Sequence, residues 1–288
     1  MKRITLLAAS LLVAMSAQAE NNSLLTLKVY NADPNSFSVN STLIYGDSEA
    51  VVIDAGFTKA DALRIVANVL DSGKELTTIF VSQADPDYYF GTELLKAFFP
   101  EVKVIATPEV RQVIKKKMAN KMKIWAPKMG VNAPSNPILP DAYSLSSFTI
   151  DGHSIEIKGT EGVLATRPYL WIPSQKAIVG NVAVFGNLHV WMADTQTQEQ
   201  LAAWSKQLDE MTALNPEVVV PGHMKAGTPL DASSIQYTQD YIEAFKKAKN
   251  NSKSSQALID NMLKVYPEEQ VPVSLLIGAK VHMGEMKW

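Results

Sequence analysis

Ile79-Phe80-Val81-Ser82-Gln83-Ala84-Asp85-Pro86-Asp87-Tyr88-Tyr89-Phe90-Gly91 is the stretch where the chain passes from an apolar run to a cluster of acids and aromatics. Thr77 to Val81 is continuously β-branched or aromatic and reads as a buried strand. A helix is expected near Glu93 to Phe99. Between them, Asp85 and Asp87 flank Pro86. Carboxylates at a helix start stabilise it by about 0.3–1 kcal/mol, so both could serve as helix caps alone. That leaves unexplained why two acids bracket a proline. The other reading is a cation or catalytic site, with Tyr88, Tyr89, Phe90 and the distant Trp191 as an apolar wall or as core.

Outward from this stretch the order of elements is regular. Leu25 to Tyr30, Ser38 to Tyr45 and Ala50 to Asp54 read as strands. Thr58 is placed as a helix N-cap and Gly73 as the residue closing that helix. A strand at Val102 to Ala106 precedes a helix from Pro108 to about Trp125. Pro127, Pro134, Pro137 and Pro140 then mark a loop. Asp151-Gly152 joins two short strands in a hairpin with a primed turn, and His153 is expected at the surface. Tyr169 to Ile172 and Ala177 to Val179 form another strand pair. Thr197 to Leu214 reads as a helix, Val218 to Val220 as a buried strand, and helices dominate from about Leu230, with His282 on a helix face. Strands, alternation, strands and alternation again describe an α/β chain with two sheets better than one doubly wound sheet.

Four of these elements carry a resemblance. The segment after Ile79-Phe80-Val81 resembles the strand and T/S-H-x-H-x-D-H loop of the metallo-β-lactamase superfamily. Val52-Ile53-Asp54-Ala55-Gly56, Ala177-Ile178-Val179-Gly180-Asn181 and Val218-Val219-Val220-Pro221-Gly222-His223 resemble three further elements of that family, in its order. The resemblance runs from about Asn35 to His223. It implies an αββα sandwich of two mixed sheets flanked by helices over residues 20–230, with residues 231–288 as a helical extension on the same domain.

The family's metal ligands carry over only in part. Its motif histidines become Gln83, Asp85 and Tyr88, its mid-chain His falls near Glu161 where no His exists, and its bridging Asp becomes Asn181. Asp87 and His223 keep their identity. A divergent exported branch, with a loop of roughly S-H-A-D-P-D-Y-Y-F-G, is similar at the Asp and Tyr positions but not at Gln83. Zinc prefers imidazole and thiolate ligands. The set here is oxygen-rich, which implies at most one divalent ion (Zn, Mn or Fe) on Asp85, Asp87 and His223, or none. Gln83, Glu161, Asn181, His189 and Asp194 are further candidates. His223 could also be a hydrogen-bonded structural residue, and His189 a core residue.

Composition narrows the classes. There is no cysteine, which removes disulfides, thiolate metal sites and Cys nucleophiles. Lys+Arg is 27 against 29 Asp+Glu, and no basic stripe with interleaved aromatics occurs, so a nucleic-acid partner is not expected. No G-x-S-x-G, H-E-x-x-H or P-loop motif is present. Lys2 and Arg3, the apolar run Ile4 to Met15 and Ala17-Gln18-Ala19 form a signal-peptide pattern over residues 1–19. This predicts a periplasmic protein, or a secreted one, beginning at Glu20. No later run is long enough to span a membrane.

Two functions are open at this level. One is a metal-dependent hydrolase of an ester, lactone or amide, in which the resemblance implies a metal-bound hydroxide, Asp87 orienting it and Tyr88 stabilising the oxyanion. The other is a binding protein for a small molecule that keeps the fold and has lost the metal.

Overall fold

The computed structural model describes residues 24–267, 269 and 272–288. The signal-peptide segment 1–19 lies outside the described residues. The strands are β1 (Thr26–Asn31), β2 (Asn40–Tyr45), β3 (Glu49–Ile53), β4 (Glu75–Phe80), β5 (Lys103–Ala106), β6 (Asp141–Ala142), β7 (Ser147–Ile150), β8 (His153–Lys158), β9 (Tyr169–Ile172), β10 (Ala177–Val179), β11 (Phe185–Gly186), β12 (Val218–Val219) and β13 (His223–Met224). The helices are α1 (Lys59–Ser72), α2 (Pro86–Tyr89), α3 (Thr92–Phe98), α4 (Pro108–Met129), α5 (Gln198–Ala213), α6 (Ser233–Asn250), α7 (Ser255–Leu263) and α8 (Pro272–His282).

One large sheet runs β1-β2-β3-β4-β5-β6 and a second β12-β10-β9-β8-β7, while β11 and β13 form a small parallel pair. Both larger sheets are mixed. In the first, β1 to β3 are antiparallel and β3 to β6 parallel. In the second, only β10 and β12 run parallel. Side chains alternate between sheet faces, and the apolar clusters follow that rule. Val51 and Ile53 join Ile155, Ile157, Leu170 and Ile172 between the sheets. Val52 points the other way, into a cluster with Ile65, Val69, Val110 and Ile114 of α1 and α4. Trp171, Ile178 and Val219 pack outward against Trp204, Leu208, Ile242, Leu258 and Leu275 of α5 to α8. Helix, sheet, sheet, helix is therefore the layer order. Among the described residues no helix is long and apolar enough to cross a membrane.

Local signals account for the boundaries. Thr58 caps α1 in a capping box with Asp61, and Gly73 ends the helix at φ +66°. Asp151 and Gly152 both have positive φ, as a primed hairpin turn requires. The Asp151 carboxylate accepts from the backbone N–H groups of Ser48 (2.9 Å) and Glu49 (3.0 Å), tying this hairpin to the first sheet.

Two expectations change. Helix α4 does not stop near Trp125 but continues through Pro127 to Met129. Pro127 falls in the last turn, where its missing N–H removes a single backbone bond near the end of the helix. His153 is not a surface residue: it is 7% exposed. It opens β8, whose alternation puts His153, Ile155 and Ile157 on the covered face.

Candidate active site

The first half of the site hangs from the ends of β3 and β4. Asp54, just past β3, takes a left-handed φ of +64°. Its carboxylate accepts from Ser82 N (2.7 Å) and Ser82 Oγ (2.7 Å), which clamps the start of the loop after β4. Burial raises the Asp54 carboxyl to about 7, with the Ser82 bonds opposing. Gly91 is pressed against the Ala55 carbonyl oxygen; an added Cβ would lie 2.0 Å from it. Ala55 N also donates to Tyr88 O at 2.7 Å. The loop from Ser82 to Gly91 is thereby held at both ends.

Within that loop, Asp85 occupies the N-cap of α2 yet makes no capping bond. Its Oδ1 instead accepts from Lys121 Nζ of α4 at 3.0 Å. Helix capping is therefore not what Asp85 does. Gln83 Oε1 accepts from Ala84 N at 2.5 Å. Asp87 is 7% exposed. Burial chiefly, and then the neighbouring Asp85 charge, push its carboxyl up to about 8.

The second half comes from the strand ends of the other sheet. Asn181 follows β10, but its amide is engaged with the backbone: Nδ2 donates to Val220 O (3.0 Å) and Oδ1 accepts from Val184 N (2.8 Å). Those bonds shape the turn that presents Gly222 and His223. A Cβ on Gly222 would sit 2.1 Å from Asn181 O and 2.7 Å from Tyr88 Oη. The Tyr88 hydroxyl is thus buried under this turn, without a hydrogen-bond partner among the described residues. His223 Nδ1 bonds the Phe37 carbonyl at 2.9 Å, which directs Nε2 at Asp87 Oδ2, 3.6 Å away. The imidazole stacks on Phe185, 5.3 Å between centroids. Burial lowers His223 to about 4. Burial therefore favours the neutral form of both groups.

The pair lies on a cavity of about 100 Å³. One wall is Phe37, Phe57 and Trp125, with ring centroids mutually 5.4 Å apart. Another is Trp191 against Trp288 at 5.5 Å. Both of these indoles donate to Asp194, at 2.9 and 2.5 Å. Arg167 adds a guanidinium stacked on Trp204, 5.3 Å from the ring centroid.

Gln83, Asp85, Asp87, Tyr88, Asp194 and His223 all line this cavity. Asn181 stands behind it. His189 is 1% exposed and bonds Tyr241 Oη at 3.0 Å within the helical layer, away from the cavity. Glu161 borders a separate hollow with Lys206 and Gln207. The sequence reading missed Lys121, Trp125, Arg167 and Trp288. Only the first pair left a signal: Lys121 and Trp125 are four apart on α4 and share a face.

A catalytic zinc takes three protein ligands and keeps one position open. Among the described residues no three His, Asp or Glu side chains are grouped closely enough to hold an ion. Asp87 and His223 converge, but Asp85 is bonded to Lys121 and Gln83 Oε1 to the backbone. The residues present do not fit the resident metal that the family resemblance implies.

The fold has many solved counterparts. A metallo-beta-lactamase family protein from Thermus thermophilus is 14% identical with a TM-score of 0.63, over 90% of this chain and 91% of that one. A metallo-beta-lactamase from Pontibacter korlensis is 18% identical with a TM-score of 0.53, over 76% and 93%. The BLEG-1 B3 metallo-beta-lactamase is 16% identical with a TM-score of 0.56, over 75% and 97%. These identities speak for the fold alone. No curated protein matches. The family described as "Metallo-beta-lactamase superfamily" matches residues 35–223. The αββα layers, the strand-end loops and this match together establish that the chain belongs to the metallo-β-lactamase superfamily.

Proposed function

We propose that the chain is a hydrolase of a small ester, lactone or amide whose reacting groups are Asp87 and His223, without a resident metal pair. The observation that carries this reading is the 3.6 Å approach of His223 Nε2 to Asp87 Oδ2 on the aromatic cavity. His223 is oriented by Phe37 O, which leaves Nε2 as the acceptor on the cavity side, and a water entering there is the nucleophile. In hydrolysis that water attacks the carbonyl carbon and gives its proton to Nε2. The Asp87 carboxyl gives its proton to the departing oxygen or nitrogen. The imidazolium then returns a proton to Asp87, and the pair is restored. General acid–base chemistry of this kind contributes about 10²–10⁴-fold. Tyr88 has no part in it, since its hydroxyl is buried beneath the Gly222 turn. The signal-like residues 1–19 make the periplasm the proposed location.

A second reading has its own support. The Lys121–Asp85 bond and the engaged amide of Asn181 suit a ligand-binding protein that performs no chemistry. Turnover separates the two. The substrates are 4-nitrophenyl acetate, a δ-lactone and a chromogenic β-lactam, each tested with EDTA and with added Zn²⁺. The hydrolase reading expects chelator-resistant turnover that falls about 100-fold or more in Asp87→Asn and His223→Ala. Activity lost to EDTA and restored by zinc would replace it with the metal-dependent mechanism. Binding without turnover would favour the second reading.

A further inference from the structure

The charges around the cavity are unequally partnered. Asp85 accepts from Lys121, Asp194 from two indoles, and Asp87 faces His223. Of the two cationic side chains lining the cavity, Lys121 is therefore matched. Arg167 is different. It is 8% exposed, and among the described residues no carboxylate lies within 4.0 Å of it. Nη1 donates to Thr195 Oγ1 at 2.7 Å, and no other side-chain hydrogen bond from it reaches a described residue. A guanidinium has five N–H donors in a rigid fork. The nitrogens without a partner are not sealed in the core but open on the cavity, where a ligand can meet them.

Several features hold this fork ready. The Trp204 ring backs its plane, Thr195 fixes one nitrogen, and Gln207 Nε2 donates to the Arg167 carbonyl at 2.9 Å. Burial lowers the Arg167 guanidinium from its usual value, and the charges of Asp194 and Asp85, both beyond ion-pair distance, oppose that shift. A planar, pre-oriented fork matches a carboxylate by two parallel hydrogen bonds. One unmatched cation, with the Asp85 and Asp194 charges nearby, suits a monoanion better than a dianion. The walls beside it are indole and phenyl faces, which suit a flat apolar body.

We propose that Arg167 anchors the carboxylate of the ligand, and that the cavity takes a small monocarboxylate whose flat apolar part packs against Trp125, Trp191 and Trp288. This rests on the reading of the cavity as a small-molecule site and names the ligand class for it. The test uses the full chain and two probes of one shape, 2-naphthoate and uncharged 2-naphthylmethanol, followed by tryptophan fluorescence and calorimetry. Naphthoate should bind at least about tenfold more tightly, the scale of a charge-assisted hydrogen bond. Arg167→Gln should erase that preference by weakening naphthoate alone, and Arg167→Lys should keep part of it. Equal affinity of the two probes for the wild type would overturn the anchor while leaving the cavity reading intact, as would undiminished naphthoate binding in Arg167→Gln. If Arg167→Gln does not fold, Thr195→Val, which frees the fork, should lower naphthoate affinity selectively; no selectivity there would also overturn the proposal. Binding of neither probe would remove the small-molecule site itself, and the anchor with it.

Discussion

His223 Nε2 and Asp87 Oδ2 stand 3.6 Å apart although Asp87 lies on α2, which follows β4 of the first sheet, and His223 opens β13, which follows β12 of the second. Their approach depends on two tight contacts: Gly91 against the Ala55 carbonyl and Gly222 against the Asn181 carbonyl. Either glycine replaced by alanine should separate the pair. Gly222→Ala must move Asn181 or Tyr88, and we expect the folded protein to lose about 1–3 kcal/mol, the scale of overpacking a filled core. Urea unfolding of the variant measures this; an unchanged midpoint would contradict the geometry.

Lys121 Nζ engages Asp85 Oδ1 at 3.0 Å, while Asp87 and His223 face each other. Lys121→Met should release Asp85 and bring three ligands together, and Gln83→His should add the imidazole that zinc prefers. The double variant is expected to gain a zinc-dependent rise in Tm that the wild type lacks. Titration of each with Zn²⁺ in a thermal melt checks this. An equal response in both would show that Lys121 does not guard the site.

Burial holds His189 near 4, well below the ordinary histidine range around 6.5. A depressed folded pKa means that the unfolded chain binds the proton more readily. The stabilising contribution of His189 is therefore complete above about pH 6.5 and is lost as pH falls through about 4. His189→Phe, which keeps the packing against Tyr241, should flatten the loss of stability between pH 6.5 and 4. Parallel pH profiles for wild type and variant would contradict this.

Trp288 is 54% exposed, yet it lines the cavity and bonds Asp194. Trp288→Ala should leave Tm almost unchanged and weaken ligand binding several-fold, because it removes part of the aromatic wall. A fall in Tm with unchanged binding would assign Trp288 to stability instead.

The fold was legible because each of its four marker elements is local: a strand, then a turn residue with chemistry. Asp87 and His223 were legible for the same reason. The remainder of the cavity was not. Asp194 and Trp288 are 94 positions apart and meet only after α8 returns across the second sheet. Lys121 reaches Asp85 from a helix expected to end four residues after it. Pro127 suggested an earlier end because a proline is tolerated in a last turn as well as beyond it. His153 follows a turn, which suggests exposure, but the alternation of β8 carries it inward with Ile155 and Ile157. Arg167, between Thr166 and Pro168, leaves no periodic trace at all.

The central claim is that a metallo-β-lactamase fold here carries a reactive pair in place of a metal centre. Metal analysis of the full chain, purified from its native host without chelator and passed through gel filtration, tests it most directly. No divalent metal is expected in stoichiometric amount. One or two equivalents of zinc, manganese or iron retained with the protein would contradict it.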